Sequence, residues 1–383
     1  MYDIILIMKK TFKYRLYPTK NQKTLLSQQL EECRWLYNYM LEHRKNAWKW
    51  YGVSLFYHEQ QNMLPCLKKI RPSLRFVHSQ VLQDVVKRVD LAFQSFFRRL
   101  KEGAKDPGYP RFKGKDRYDS LTFPQNNVGF SLQGNVLKLF GVGKVSVLAH
   151  RSLEGKIKTC TIKRTSTGKW FVCFSCDNVE PKRLSNSPLS VGIDMGIKEF
   201  LTTSEDEDPI VQNPKFLKKS AKRLAQEQRR LNLQKNNPGK DKEKKKKIVA
   251  KIHEKVFNQR QDFFHKTAKA LVGKYGIIVV EDLVPSEMVS EYSSINNAQY
   301  DTAWGTFLSI LSNKAAEAGR EFVKVDPAYT SQDCSTPGCG HRQKMPLNVR
   351  VYKCPKCGKK QDRNRNAATN IKRLGLESLA RSA

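Results

Sequence analysis

Apolar and polar positions alternate every second residue from Thr11 to Tyr17, and the pattern stops at Pro18. A period of two predicts a strand, and the proline predicts its end, with a helix following from about Asn21. In that helix the apolar spacing changes to three and four, which puts Leu25, Leu26, Cys33, Tyr37, Met40 and Leu41 on one face. A second long helix repeats the pattern with Val81, Leu82, Val85, Val89, Ala92, Phe93, Phe96, Phe97 and Leu100. Residues 20–118 therefore read as a helical domain, and its periodic aromatics read as core packing, with base stacking left for one or two of them.

Gly103, Pro107, Gly108 and Pro110 break the helical pattern, and the period returns to two in short runs: Ser120–Phe123, Val136–Phe140, Lys144–Leu148, Lys156–Lys163 and Lys169–Ser175. Residues 119–187 are thus expected to form a small β barrel or sandwich, closed by the N-terminal strand of residues 1–19. Cys173 and Cys176 lie inside one of these runs, where successive side chains point to opposite faces, so they are set aside as metal ligands.

A third unit starts near Pro188 and extends to 329. It contains two apolar strands that end in acids, Val191-Gly-Ile-Asp194-Met-Gly196 and Ile277-Ile-Val-Val280-Glu281. Between them, Lys215 to Lys274 carries twenty Lys and Arg against five acidic residues, interrupted by Asn236-Asn237-Pro238-Gly239. This predicts a basic helical hairpin over about 214–272 with a turn at its tip. A solvated face is the alternative for any charged run, but so large an excess on adjoining helices repels itself unless phosphates neutralise it. Lys222, Arg223, Arg229 and Arg230 are the candidate contacts.

Charge reinforces this reading. The 383 residues hold 70 Lys and Arg against 36 Asp and Glu, a formal charge of +34, distributed along the chain. Such a field draws polyanions. Apolar runs fall short of the roughly 18–20 residues a membrane-spanning helix needs, which turns the choice of polyanion from membrane to nucleic acid. Tyr2 to Met8 is apolar but short and has no basic region before it, so a secretory signal is not expected, and a cytoplasmic, nucleoid-associated protein is. Met8, followed by Lys9 and Lys10, is as good a first residue as Met1. Length allows two or three domains, each with its own core.

Four of the nine cysteines fall in one window: Cys334-x4-Cys339, a fourteen-residue gap, then Cys354-Pro-Lys-Cys357-Gly358. Paired thiolate knuckles at this spacing suit one tetrahedral Zn2+ in a zinc ribbon over 330–358. Four thiolates leave no open position, so the ion is expected to be structural. The acids carry the other chemistry. A carboxylate ending a β-branched run is costly to bury unless something positive meets it. Asp194 and Glu281 are such residues, and a third acidic signal follows the ribbon in Asp362-Arg-Asn364-Arg-Asn366-Ala-Ala-Thr-Asn370, in residues 359–383. Helix capping is the competing reading of that last cluster. Two strand-end carboxylates plus an acid at a helix start form the pattern of a two-Mg2+ phosphodiesterase.

Taken together, Phe12 to Pro18, Gly108-Tyr-Pro-Arg-Phe-Lys113, Val191-Gly-Ile-Asp194-Met-Gly196, Val279-Val-Glu281-Asp-Leu283, Thr330-Ser-Gln332, the four cysteines and Asn366-Ala-Ala-Thr-Asn370-Ile resemble the TnpB family of bacterial insertion sequences, relatives of the type V CRISPR nucleases, over nearly the whole chain. The resemblance implies an α+β multidomain fold: a wedge β barrel with an inserted helical recognition domain, then an RNase H-like RuvC domain with an inserted helical hairpin and zinc ribbon. It further implies a guide RNA from the transposon end, a double-stranded DNA target read beside a short flanking motif, no membrane partner, and a monomer in the ribonucleoprotein as the expected state. Base pairing would then read the sequence and the protein the flanking motif and backbone shape.

Asp194 and Glu281 match the first two catalytic, Mg2+-binding acids of that family. The third position holds Asn364, with Asp362 two residues upstream. Two readings stay open: an RNA-guided, Mg2+-dependent DNA endonuclease in which Asp362 serves, or a guided DNA-binding repressor that does not cut. A strand-transfer transposase is a third, disfavoured by the ribbon before the last acidic motif and the barrel at the front. For the flanking duplex, Ser79, Gln80 and Lys113 are candidate contacts, because amide and cationic side chains suit base edges and phosphates.

Overall fold

A computed structural model describes residues 8–205, 209–233, 240–283, 303–346 and 348–382. The alternative start at Met8 concerns residues 1–7, and the hairpin tip at Asn236 to Gly239 falls in a further gap; both lie outside the described residues. The chain divides into two compact units, one up to Glu180 and one from Pro181. The expected boundary near 188 thus lies a few residues inside the second.

The first unit opens with strand β1 (Met8–Tyr17), and Pro18 ends it. Thr19 then caps helix α1 (Lys20–Tyr51): its side chain accepts the Gln22 N–H, while the Gln22 side chain accepts the Thr19 N–H. Helices α2 (Tyr57–Asn62), α3 (Leu64–Ile70) and α4 (Ser79–Lys101) follow, with a 3-10 turn at Pro72–Phe76 before α4. Strands β2 (Ser120–Phe123), β3 (Phe130–Gln133), β4 (Val136–Leu139), β5 (Gly143–Leu148), β6 (Lys156–Arg164) and β7 (Trp170–Val179) join β1 in an antiparallel sheet ordered β2-β6-β7-β1-β5-β4-β3. The two outermost strands curl toward each other until Phe123 and Phe130 meet edge-on at 6.2 Å, which makes a nearly closed barrel.

Four expectations change here. The N-terminal strand sits in the middle of the sheet, paired on both sides, so it is a spine of the barrel rather than its closing strand. Strand β3, which sequence alternation did not isolate, forms one edge. Leu25 on the first turns of α1 is exposed, and so are Phe97 and Leu100 on α4, where full burial stops at Phe93. Helices and barrel share one continuous core rather than one each.

The second unit is built on strands β8 (Ser190–Met195), β9 (Glu199–Thr203), β10 (Ile210–Gln212), β11 (Ile277–Glu281) and β12 (Glu321–Val325), in the order β10-β9-β8-β11-β12. Strands β8, β11 and β12 run parallel; β9 and β10 run antiparallel to their neighbours. Helices α5 (Phe216–Asn232) and α6 (Lys240–Lys274) form a pair, and the far half of α6 packs Phe264, Ala268 and Leu271 with α7 (Trp304–Ala318) on one sheet face. The last helix, α8 (Arg363–Ser382), covers the other face through Ile371, Val279 and Val325. It lies unusually near. A Cβ on Gly192 of β8 would meet the Ala368 carbonyl oxygen at 2.1 Å, and one on Gly375 of α8 would meet Val279 at 2.3 Å. Between β12 and α8, strands β13 (Val351–Lys353) and β14 (Lys360–Asp362) make a small antiparallel hairpin. No helix among the described residues is long and apolar enough to cross a membrane.

Candidate acidic site and cysteine cluster

Strand register explains how the two strand-end acids come together. Ile193 of β8 pairs with Val280 of β11, so Asp194 and Glu281 each follow a paired residue on adjacent parallel strands. Side chains alternate across a strand. Val191 and Ile193, like Val280, enter the core under α6 and α7, whereas Gly192 and Val279 face α8. Asp194 and Glu281, two residues beyond Gly192 and Val279, therefore turn toward the start of α8.

Glu281 is 8% exposed and accepts a hydrogen bond from the Thr330 hydroxyl at 2.5 Å. Asp194 keeps a window to solvent but is densely surrounded, and among the described residues nothing hydrogen-bonds its carboxylate. Burial, then the neighbouring Glu281 charge, pushes the Asp194 carboxyl well above its usual range; Arg363 opposes the rise, while Asp362 and Glu199 add to it. Burial likewise raises Glu281, against the lowering effect of the Thr330 hydroxyl.

Four carboxylates thus act on one spot against the single guanidinium of Arg363. Their oxygens are hard donors, the set that Mg2+ takes. Among the described residues no three of these oxygens lie within 4.8 Å of one another; only the cysteines form so tight a group. The fit to a divalent ion therefore rests on the chemistry of the donors, hard carboxylate oxygens facing one another with a single cation nearby.

The helix-start acid does something else. Asp362 is exposed, and its Oδ1 accepts the backbone N–H groups of Asn364 at 2.8 Å and Arg365 at 3.2 Å, so it caps α8. Asn364 is buried, and its Nδ2 donates to Glu199 Oε2 at 3.1 Å. In the sequence Glu199 reads as an ordinary strand start, 165 residues from its partner. Further along α8, Asn366 Nδ2 donates to the Asp333 carbonyl, and Asn370 Nδ2 donates to the carbonyls of Thr330 and Asp333. The Asn366 side chain also accepts the Ser335 N–H. These amides clamp the segment that supplies Thr330 to Glu281 and leads into the first cysteine pair.

Cys334, Cys339, Cys354 and Cys357 bring their sulfurs within 4.8 Å of one another. Two Sγ···Sγ separations, Cys334 to Cys357 and Cys339 to Cys354, are 3.6 Å. A tetrahedron of 2.3 Å Zn–S bonds has edges of about 3.8 Å, so the cluster is the size of a four-thiolate zinc site. The Gly358 N–H closes the second knuckle onto the Cys354 carbonyl at 3.0 Å with a φ of 72°. The Thr336 hydroxyl lowers the Cys357 thiol to about 6, with help from the backbone at Lys359, which favours the thiolate a metal needs. Cys173 and Cys176 lie on β7, and Cys176 packs into the barrel core.

The remaining candidates fall elsewhere. Ser79 accepts the Lys68 ammonium at 2.8 Å and Gln80 donates to Gln125 at 2.6 Å. The Lys113 backbone exchanges hydrogen bonds with the Asn38 amide, and its ammonium sits over the Tyr37 ring at 5.5 Å. All three thus make contacts within their own unit. Lys222, Arg223, Arg229 and Arg230 are exposed on α5, with Arg230 paired to Glu227 at 2.9 Å.

Three family models match the chain: a "Helix-turn-helix domain" over residues 8–52, the OrfB_IS605 "Probable transposase" over 173–291, and a "Cas12f1-like, TNB domain" over 304–371. The first covers what is here one strand and one long helix. A "Putative RNA-guided DNA endonuclease" of Streptomyces pristinaespiralis is 33% identical over 381 residues, spanning 97% of this chain and 91% of its own. InsQ of Escherichia coli K12, which carries the same description, is 26% identical over 388 residues, with coverage of 97% and 93%. Among solved structures, a Cas12f1–sgRNA–target DNA complex aligns with a TM-score of 0.57 at 15% identity, covering 96% of this chain and 99% of that one, a likeness of fold.

Proposed function

Since the chain belongs to the TnpB/OrfB_IS605 family, we propose that it is an RNA-guided DNA endonuclease whose second unit is a RuvC-type, RNase H-like nuclease core. The observation that carries this reading is the pairing of Ile193 with Val280, which sets Asp194 and Glu281 side by side under α8. These two carboxylates would hold Mg2+. Bound there, divalent ions stabilise charge on the attacking and leaving oxygens of a phosphodiester. Thr330 orients Glu281, α8 covers the face on which Asp194 lies, and the four cysteines would hold a structural Zn2+ that ties down the segment carrying Thr330.

The rest of the chain would serve the nucleic acids. We assign residues 1–19 and 119–187 to a wedge barrel, 20–118 to recognition helices, 188–329 and 359–383 to the nuclease, and 330–358 to the zinc ribbon. The basic α5–α6 pair would contact phosphates through Lys222, Arg223, Arg229 and Arg230. Ser79, Gln80 and Lys113 would meet the duplex beside the target, which requires Ser79 and Gln80 to exchange their present partners.

A second reading, guided binding without cutting, is favoured by one observation: position 364 holds an amide. Both readings are tested together. The RNA that copurifies with the protein is sequenced, and the ribonucleoprotein is incubated in Mg2+ with plasmids carrying the matched target and randomised flanks. Linear product beside a subset of flanks is expected. Supercoils that stay intact at every flank overturn the endonuclease, and protection of the target from chemical cleavage in that case establishes the second reading.

A further inference from the structure

We infer that Glu199 supplies the third carboxylate of the acidic site and that the Asn364 amide holds it there, so that the negative charge missing at position 364 is moved by one hydrogen-bond length rather than lost. The inference rests on the metal-dependent nuclease reading above and names a ligand that reading lacks.

Three observations support it. Asn364 is buried, and its Nδ2 lies 3.1 Å from Glu199 Oε2. An amide N–H can only donate, so this contact requires an acceptor such as a carboxylate and gives Asn364 a positioning role that aspartate at the same place could not fill. The turn that carries Glu199 from β8 into β9 is fixed by three hydrogen bonds: Gly196 N–H to the Phe200 carbonyl across the turn, and, from outside it, Asn213 Nδ2 to the Ile197 carbonyl and Trp304 Nε1 to the Gly196 carbonyl. Lastly, Asp362 is exposed and its Oδ1 caps the first turn of α8 through two N–H groups, so turning its carboxylate inward would uncap the helix. Glu199, with only one oxygen engaged by Asn364, keeps the other for a cation.

The test uses the guide-loaded full-length protein and the variants Glu199→Gln, Asn364→Asp, the double variant E199Q/N364D, and Asp194→Asn. Two quantities are measured on each: cutting of a matched plasmid in Mg2+, and Mn2+ affinity by calorimetric titration without DNA. Melting curves identify any variant that has lost its fold. Glu199→Gln should lower both cutting and Mn2+ affinity by about 10–100-fold or more, the loss typical even of a partner that only supports a metal ligand. The double variant should recover both to within about tenfold of the unaltered protein, because the charge returns on the neighbouring side chain. If Glu199→Gln keeps both while Asp194→Asn loses both, Glu199 is not a ligand, yet the nuclease reading stands. No recovery in the double variant, or cutting that appears only once Asn364→Asp is introduced, also overturns the inference. Should the unaltered protein neither cut nor lose Mn2+ affinity on Asp194→Asn, the underlying reading fails and this inference fails with it.

Discussion

Asp194 and Glu281 are carboxyls whose surroundings favour the proton, and the sign of that preference can be tested without any nucleic acid. Both have folded-state values raised above the ordinary range, chiefly by burial. Their unfolded values lie near about 4. The native state therefore binds protons more tightly than the unfolded chain, so their contribution to stability is fully present below about pH 4 and is lost as pH rises through the folded values. At neutral pH, without divalent cations, the stability these two groups contribute at low pH is diminished, which weakens the second unit. Asp194→Asn should consequently raise its melting temperature at pH 7, by roughly 2–4 °C for each kcal/mol relieved, with the gain shrinking as pH approaches 4. Mg2+ should stabilise the unaltered protein more than the variant. A variant that melts lower at neutral pH, or an equal Mg2+ effect on both, would contradict this account. These two acids could be read from the sequence because a carboxylate closing a β-branched run is anomalous on its own. Glu199 could not, since Lys198-Glu199-Phe200 has the ordinary look of a strand start and its meaning comes from Asn364, far along the chain. Asp362 fits either a ligand or a cap from its spacing alone, and its Oδ1 makes the cap by accepting the first N–H groups of α8.

Elements carry the same dependence over longer distances. The four cysteines are a strong sequence signal, because their spacing alone defines two knuckles. Their link to the acidic site is not, because it passes through amides on α8: Asn370 and Asn366 hold the Thr330 and Asp333 carbonyls, and Thr330 in turn holds Glu281. The stretch from Asn366 to Asn370 reads as helix in the sequence, but which groups its buried amides meet depends on how the ribbon folds back. This gives an expectation for metal removal. Purified protein should contain one zinc per chain by elemental analysis. Cys354→Ser, or a strong chelator, should remove it, and amide hydrogen exchange should then speed up at Ser335, whose N–H bonds the Asn366 side chain, as well as within the ribbon. Zinc loss with unchanged exchange at Ser335 would mean that the clamp stands without the metal. The barrel shows where periodicity reaches its limit. Only Phe130 is fully buried in the four-residue strand β3, too little for a period to show. In the last turns of α4 the apolar stripe continues although Phe97 and Leu100 stay exposed and, among the described residues, only Phe96 finds a partner ring outside the helix, in Tyr109.

At the scale of the whole molecule the net charge of +34 is the one property that needs no fold to be seen, yet its use depends on where the cations end up. The pair α5 and α6 sorts them. The far half of α6 sinks apolar side chains into the core, while α5 buries Leu224 and leaves Lys222, Arg223, Arg229 and Arg230 in solvent. Of these four cations only Arg230 has an ion pair among the described residues, with Glu227, and its own side chain is half-exposed, so the pair is worth little by itself. Cations held this way on a helix surface repel one another, and a phosphate backbone relieves that repulsion while releasing its own counterions. Binding of the copurifying guide RNA should then weaken linearly on a log–log plot as salt rises, with a slope of about −0.7 for each phosphate neutralised on a single strand. Replacing Lys222, Arg223, Arg229 and Arg230 with glutamine should leave the melting temperature almost unchanged, because all four are exposed. The slope should become shallower by about 0.7 for each of the four that meets a phosphate, a total of up to about 2.8. Affinity that falls with no change of slope would show that these side chains act through the shape of the helix pair rather than by meeting phosphates, and an unchanged affinity would move the polyanion contact to another cationic surface of the chain.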